Sequence, residues 1–242
     1  MTRLMIEDYD GADQTTGEIT DASMAVDRAD TSYPFAGSGK NAKFTWSGGA
    51  TTNKYGCQYF DSAELELYIQ VGKFRISVLP TTSGYDTRII AFTASSGGGS
   101  SLANFGIYND GGTSKWMVYC HDNESFVRVV STGDAVQANK DYVIKARFVR
   151  HDTDGVAQLW VDGELVAELT TIICTRVMAC VNWGFIYSDF NANTISYMDN
   201  IVIDTEDVGW GGGLVNGVAP FNISSLNGVA TTSIKEFMGL KG

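Results

Sequence analysis

From residue 65 onward the chain runs in short alternations of apolar and polar residues, each closed by Gly, Asn or Asp. That rhythm leaves few folds open. Leu65-Glu66-Leu67-Tyr68-Ile69-Gln70-Val71 switches sides at every step, the period of a strand with one buried face. Further candidate strands follow at Lys73–Leu79, Arg88–Thr93, Asn104–Tyr108, Lys115–His121, Phe126–Ser131, Tyr142–His151, Val156–Val161, Val177–Tyr187 and Ile195–Asp204. Asn109-Asp110-Gly111-Gly112 and Asp162-Gly163 read as hairpin turns, because both central positions tolerate positive φ. Gly is abundant at 27 residues and Pro scarce at 3, so the turns are made without proline. Upstream, shorter strands are expected at Leu4–Ile6, Lys43–Trp46 and Tyr55–Phe60, and the acidic run Gly17–Asp30 has room for one short helical turn. Many strands about 8–12 residues apart, without helical periodicity, predict an all-β antiparallel sandwich.

Composition narrows the function classes. Hydrophobic residues make up 44% of the 242-residue chain, enough for a sizeable core. The formal net charge is −11 with no basic cluster to offset it, which argues against nucleic acid and anionic membranes as partners. No segment reaches the roughly 18 apolar residues of a membrane span, and the N-terminus lacks the apolar core of a signal peptide. The expectation is a chain made in the cytoplasm. Cys57, Cys120, Cys174 and Cys180 are widely spaced without a zinc pattern. Cys174 and Cys180 lie in apolar sequence and read as buried thiols, while the even count leaves disulfides open.

The chain changes character at Gly209-Trp210-Gly211-Gly212-Gly213. Behind this linker Val215-Asn216-Gly217-Val218, Leu226-Asn227-Gly228-Val229 and Phe237-Met238-Gly239-Leu240 recur in one phase, also held by Ile223 and Ile234. The Gly in each unit favours small turn-plus-strand elements over a right-handed helical repeat. So short a segment cannot bury a core of its own. The expected division is therefore a sandwich over 1–208 and a docking or oligomerisation tail over 209–242. Val215, Val218, Ile223, Leu226, Val229, Ile234 and Phe237 are its contact residues.

Three stretches carry a family resemblance. Lys140–Phe148, Gly155–Val166 with its central Asp162-Gly163, and Ser196–Asp204 resemble strands of the laminin-G-like branch of the concanavalin A-like superfamily. In that register Met5–Gly11 is similar to the opening strand. The resemblance implies a jelly-roll sandwich over roughly residues 3–205. It also implies a place for a structural calcium between first and last strands, where Asp8, Asp10 and Asp199 would supply the hard oxygen ligands this ion requires. The tail and the missing leader resemble accessory or receptor-binding components of bacteriophage particles.

Enzymatic members of the superfamily cleave glycans. Hydrolases carry a Glu-x-Asp-x-x-Glu strand whose acids flank the glycosidic bond; the nearest match is Asp61, Glu64 and Glu66, of which Glu64 and Glu66 share a face and Asp61 is out of phase. Lyases need a Gln/His/Tyr/Arg cluster, and neither His121 nor His151 stands in one. Sugar binding requires aromatic faces beside planar polar groups. Strand parity sets Tyr119 and His121 opposite Val118 and Cys120, Lys145 and Arg147 opposite Ile144 and Ala146, and Trp160 opposite Leu159 and Val161. These five, Tyr119, His121, Lys145, Arg147 and Trp160, are the candidate carbohydrate-binding residues. The expected function is a non-enzymatic attachment module of a phage virion that binds a cell-surface glycan and assembles as a homo-oligomer. A glycan-degrading hydrolase or lyase, or an extracellular protein, is the alternative.

Overall fold

A computed structural model describes residues 3–7, 26–30, 41–46, 54–94, 101–122, 125–188, 193–205, 207, 225–226 and 229–230. Fourteen strands build two antiparallel sheets: β1 (Arg3–Glu7), β2 (Val26–Asp30), β3 (Asn41–Trp46), β4 (Lys54–Glu64), β5 (Glu66–Ile76), β6 (Asp86–Thr93), β7 (Ser101–Asp110), β8 (Thr113–Asp122), β9 (Ser125–Val130), β10 (Tyr142–Val149), β11 (Gly155–Val161), β12 (Glu164–Ile172), β13 (Met178–Ser188) and β14 (Thr194–Asp204). One sheet has eight strands in the order β12-β11-β10-β5-β14-β3-β2, with β1 also pairing β14. The other has six, in the order β4-β13-β6-β7-β8-β9. No helix occurs among the described residues.

Alternation explains the packing. In β10 Tyr142, Ile144, Ala146 and Phe148 are buried; in β11 Ala157, Leu159 and Val161 are; in β8 Trp116, Val118 and Cys120 are. These residues meet Phe74, Phe92, Phe105 and Trp183 in one continuous core between the sheets. Phe92 lies 5.7 Å from Phe105 in its own sheet and 5.7 Å from Phe148 in the opposite one. Trp183 lies over Gly56, where an added Cβ would stand 2.7 Å from the indole. Burial on this scale at about 25 cal/mol per Å² is the main term favouring the fold.

Where alternation slips, the backbone shows why. Both Met198 and Ile201 reach the core although they stand three positions apart, an odd interval that strict alternation would put on opposite faces. Asn200 between them takes φ 55°, the signature of a bulge. Opposite it Gly72 leaves room, since a Cβ there would meet Asn200 Cβ at 2.8 Å. β5 therefore continues through Gly72 as one strand, where the sequence predicts two.

Two further expectations change. Val26–Asp30, read as part of a run able to hold a helical turn, is a strand paired with β3 through Val26–Phe44 and Asp27–Lys43. Cys180, read as a buried thiol with disulfides left open, is disulfide-bonded to Cys57, with Cα atoms 6.7 Å apart. Cys174 is buried and free, as is Cys120.

The two hairpin turns form as predicted. Gly111 and Gly112 take φ 59° and 96°, and Asp162 and Gly163 take 51° and 95°. Asp162 is also fixed by its Oδ1, which accepts from Val143 N at 2.8 Å. Replacing Gly163 with alanine places a Cβ in the left-handed region in open space. The expected cost is about 1 kcal/mol, read as a shifted urea midpoint at unchanged slope.

Of the tail, residues 225–226 and 229–230 are described. Leu226 pairs with Val229 and Ser225 with Ala230. Val215, Val218, Ile223, Ile234 and Phe237 lie outside the described residues, as do Asp8 and Asp10.

Candidate functional site

The five candidate carbohydrate-binding residues do not form one surface. Tyr119 and His121 belong to β8 of the six-stranded sheet. Lys145, Arg147 and Trp160 belong to β10 and β11 of the eight-stranded sheet. Both groups point away from the core, so the whole sandwich, with sheets about 10 Å apart, stands between them. Parity identified the outward face of each strand correctly. It could not tell which sheet the strand joins.

The eight-stranded face is occupied by its own charges. Lys73 pairs with Asp199 at 3.5 Å, Arg75 with Asp141 at 2.5 Å, Lys145 with Asp207 at 2.8 Å and Arg147 with Glu66 at 2.7 Å. Lys145 is 2% exposed and lies 4.6 Å from the Trp160 ring centroid. Arg147 also donates to Gln158 Oε1 at 2.8 Å, and Gln158 in turn donates to Glu168. These four pairs, among the described residues, form the pattern of a structural ladder.

Asp199, the one described member of the expected calcium set, faces Lys73 and accepts from Asn200 N at 2.8 Å. Among the described residues no three His, Cys, Asp or Glu side chains gather as metal ligands. The acid trio also separates: Asp61 and Glu64 end β4 in one sheet, and Glu66 opens β5 in the other, the chain crossing between sheets at Leu65. The expectation that Glu64 and Glu66 share a face is corrected accordingly. Glu66 accepts from Tyr68 Oη at 2.9 Å and from Arg147. His151 accepts from Asp154 N at 2.9 Å and Thr153 N at 3.2 Å through Nδ1, so it caps the loop into β11.

Burial, with the Glu66 hydrogen bond, raises the Tyr68 phenol to about 12. A phenol held protonated in the fold but free to ionise near pH 10 when unfolded stabilises the protein fully below about pH 10. That contribution falls as pH rises toward 12. An ultraviolet alkaline titration should show one tyrosine lagging the rest, and Tyr68→Phe should remove the lag.

The six-stranded face is organised differently. Tyr119 is flanked by Phe126, stacked at 4.9 Å and 7°, and His121 meets the same Phe126 edge-on at 4.9 Å. Arg88 lies 4.7 Å from the Tyr119 ring centroid and 4.3 Å from that of Tyr187. Arg128 lies 4.1 Å from Tyr108 and 5.2 Å from Tyr119. Asp86 stands 3.5 Å from Arg88 and 3.9 Å from Arg128. Topology makes this cluster, since Tyr187 pairs Arg88 across β13/β6 and Arg128 pairs Tyr119 across β9/β8. Gly106, between Arg88 and Met117 in the register, lets β6 approach closely, since a Cβ there would stand 2.0 Å from Thr87 O. Phe126 is 52% exposed, a large apolar ring left on the surface beside guanidinium groups.

Sequence reasoning missed Arg88, Arg128, Tyr108 and Tyr187. The alternation of Phe126-Val127-Arg128 puts Phe126 and Arg128 on one face, but only the β6-β7-β8-β9 order brings them to Tyr119. Arg88 sits beside a bulge in its pairing with β7, where parity fails.

No family model and no curated protein matches this chain. Solved structures do. The globular domain of T. cruzi calreticulin superposes with a TM-score of 0.53 at 12% identity, covering 85% of this chain and 88% of that one. The binding domain of botulinum neurotoxin DC, solved in complex with rat synaptotagmin II, gives 0.56 at 10% identity and covers 84% of this chain. The receptor-binding domain of botulinum neurotoxin type G gives 0.51 at 13% identity, covering 84%. This chain spans about half the length of those two neurotoxin domains, 48% and 47%. At such identities the likeness is one of fold. The chain has a jelly-roll β-sandwich fold, as these proteins do.

Proposed function

We propose that this chain is a non-enzymatic binding or attachment module, and that it takes a glycan on the outer face of its six-stranded sheet around Tyr119. The observation that carries the reading is the Tyr119–Phe126 pair with Arg88 and Arg128 beside it. Aromatic rings stack on the C–H faces of sugars, and guanidinium forks take their oxygens. Two of the solved chains that share this fold are binding domains of botulinum neurotoxins, which agrees with the reading without carrying it. The non-enzymatic reading is supported by the strand positions of the acids, with Asp61 and Glu64 in β4 and Glu66 in β5 of the other sheet rather than on one strand.

Attachment also needs an anchor, and the repeat over 209–242 supplies the candidate, with Leu226 and Val229 paired in its middle unit. The proposed setting is a virion surface or tail component, assembled through that segment as an oligomer. Binding to an immobilised glycan panel tests the ligand side: Tyr119→Ala should weaken the strongest signal about tenfold, and a panel with no signal would end the glycan reading. On the assembly side, deleting residues 209–242 should leave the melting transition in place and reduce the mass measured by light scattering. An unchanged mass would remove the docking role.

A further inference from the structure

We propose that the Tyr119 surface selects sugars bearing a carboxylate, held by Arg88 and Arg128. This inference rests on the reading of that face as the glycan site. Its first support is the charge count of the two faces. On the eight-stranded sheet four cations stand against four separate carboxylates. At the Tyr119 surface, among the described residues, the two guanidinium groups share one carboxylate, that of Asp86.

The second support is geometric. Both guanidinium groups are oriented by tyrosine rings, Arg88 by Tyr119 and Tyr187 and Arg128 by Tyr108 and Tyr119. A guanidinium lying on a ring still aims its N–H groups outward in its own plane, where a planar carboxylate is taken by two parallel hydrogen bonds. Arg88 Nε has no hydrogen-bond partner among the described residues. Neither does Oδ1 of Asn104, which is 0% exposed and pairs with Tyr119 across β7/β8. Both atoms are enclosed, so an incoming carboxylate meets the exposed parts of the two guanidinium side chains, 20% of Arg88 and 29% of Arg128.

Long-range charge narrows the class further. A protein of net charge −11 repels a dense polyanion such as nucleic acid before contact. A sugar with one carboxylate per residue or per chain end meets the two guanidinium groups at much smaller cost. Sparse, planar acid groups on an otherwise apolar pyranose face are what this surface recognises.

The test uses the full chain on immobilised uronate- and sialate-containing oligosaccharides, on their carboxyl-reduced counterparts and on sulfated ones. A carboxylated sugar should bind at least tenfold more tightly than its reduced form. Arg88→Gln and Arg128→Gln should each lose about ten- to a hundredfold on the carboxylated sugar, the scale of one charge-assisted hydrogen-bond pair, and little on the reduced one. Arg75→Gln, on the opposite sheet, should change neither. Should Arg88→Gln fail to fold, Arg128→Lys on the edge strand keeps the charge, removes the fork and should still lose affinity. Equal binding of the reduced sugars overturns the inference and leaves the glycan reading standing. A preference for sulfated sugars overturns the carboxylate assignment. Silence across the whole panel overturns both.

Discussion

Replacing Phe92 with alanine is expected to lower the unfolding free energy by about 3–5 kcal/mol, the usual range for a buried phenylalanine. Phe92 is 0% exposed and stands in β6 of the six-stranded sheet. Its ring meets Phe105 at 77° within that sheet and Phe148 at 36° from β10 of the other, each at 5.7 Å. It therefore joins the layers, and truncation removes contacts on both sides at once. Backbone strands on either side cannot close the gap, because their spacing is set by hydrogen bonds to further strands. The cavity term thus adds to the lost transfer energy. For a domain of this size each kcal/mol moves the melting temperature by about 2–4 °C, so calorimetry should show a drop of roughly 10 °C or more. Phe92→Leu, closer in volume, should cost about 1.5 kcal/mol or less. Phe126→Ala, at a ring 52% exposed, should fall well below Phe92→Ala. A Phe92→Ala protein within 1 kcal/mol of the parent would mean that the sheets are not held together through this contact.

The residues that make Phe92 central were largely legible in the sequence, and those that make the candidate site were not. Alternation in Tyr142–Phe148 and Ala157–Val161 named the inward side chains correctly, because the two strands pair with each other in unbroken register and each has one face on the core. Hairpin turns were legible for a related reason: Gly111-Gly112 and Asp162-Gly163 announce a local backbone conformation that needs no distant partner. Where a feature depends on distant pairing, the signal fades. Gly72 reads as a break, yet it is the place where Asn200 of β14 presses against β5. Lys145 reads as a solvent-facing charge, yet Asp207 and Trp160 hold it almost fully buried. Val26–Asp30 reads as part of an acidic run with room for a helical turn, yet β3 gives it a strand to pair with. The Tyr119 cluster is the extreme case. Its members come from four strands of one sheet, β6, β7, β8 and β9, with Tyr187 from a fifth, β13. Parity within a strand carries no information about that order.

Reduction of Cys57–Cys180 should be the second large loss of stability, about 2–4 kcal/mol. The two cysteines are 123 residues apart, so the bond closes a loop that holds half the chain in the unfolded state. Loop-closure entropy alone sets an upper figure of about 5 kcal/mol for such a span. The folded state loses little when the bond opens, because β4 and β13 remain paired from Lys54–Phe185 to Glu64–Met178. Each sulfur would also stay within the apolar cluster of Cys57, Ala91, Cys180 and Ile186. The effect therefore acts chiefly on the unfolded ensemble. The melting temperature under reducing conditions should fall by roughly 5–15 °C, while the folded spectrum is retained below the transition. Cys57→Ala/Cys180→Ala should melt near the reduced protein and be indifferent to reductant. Cys120 and Cys174 serve as the internal control. Burial raises both thiols above their ordinary range, which suppresses the thiolate that reacts with alkylating agents. Native protein should thus label slowly at neutral pH, and unfolded unreduced protein should take up label at these two positions alone. Labelling of all four cysteines without reductant would show that the bond does not form. It would also remove the stability prediction, and with it one reason to look for the protein at work in an oxidising environment.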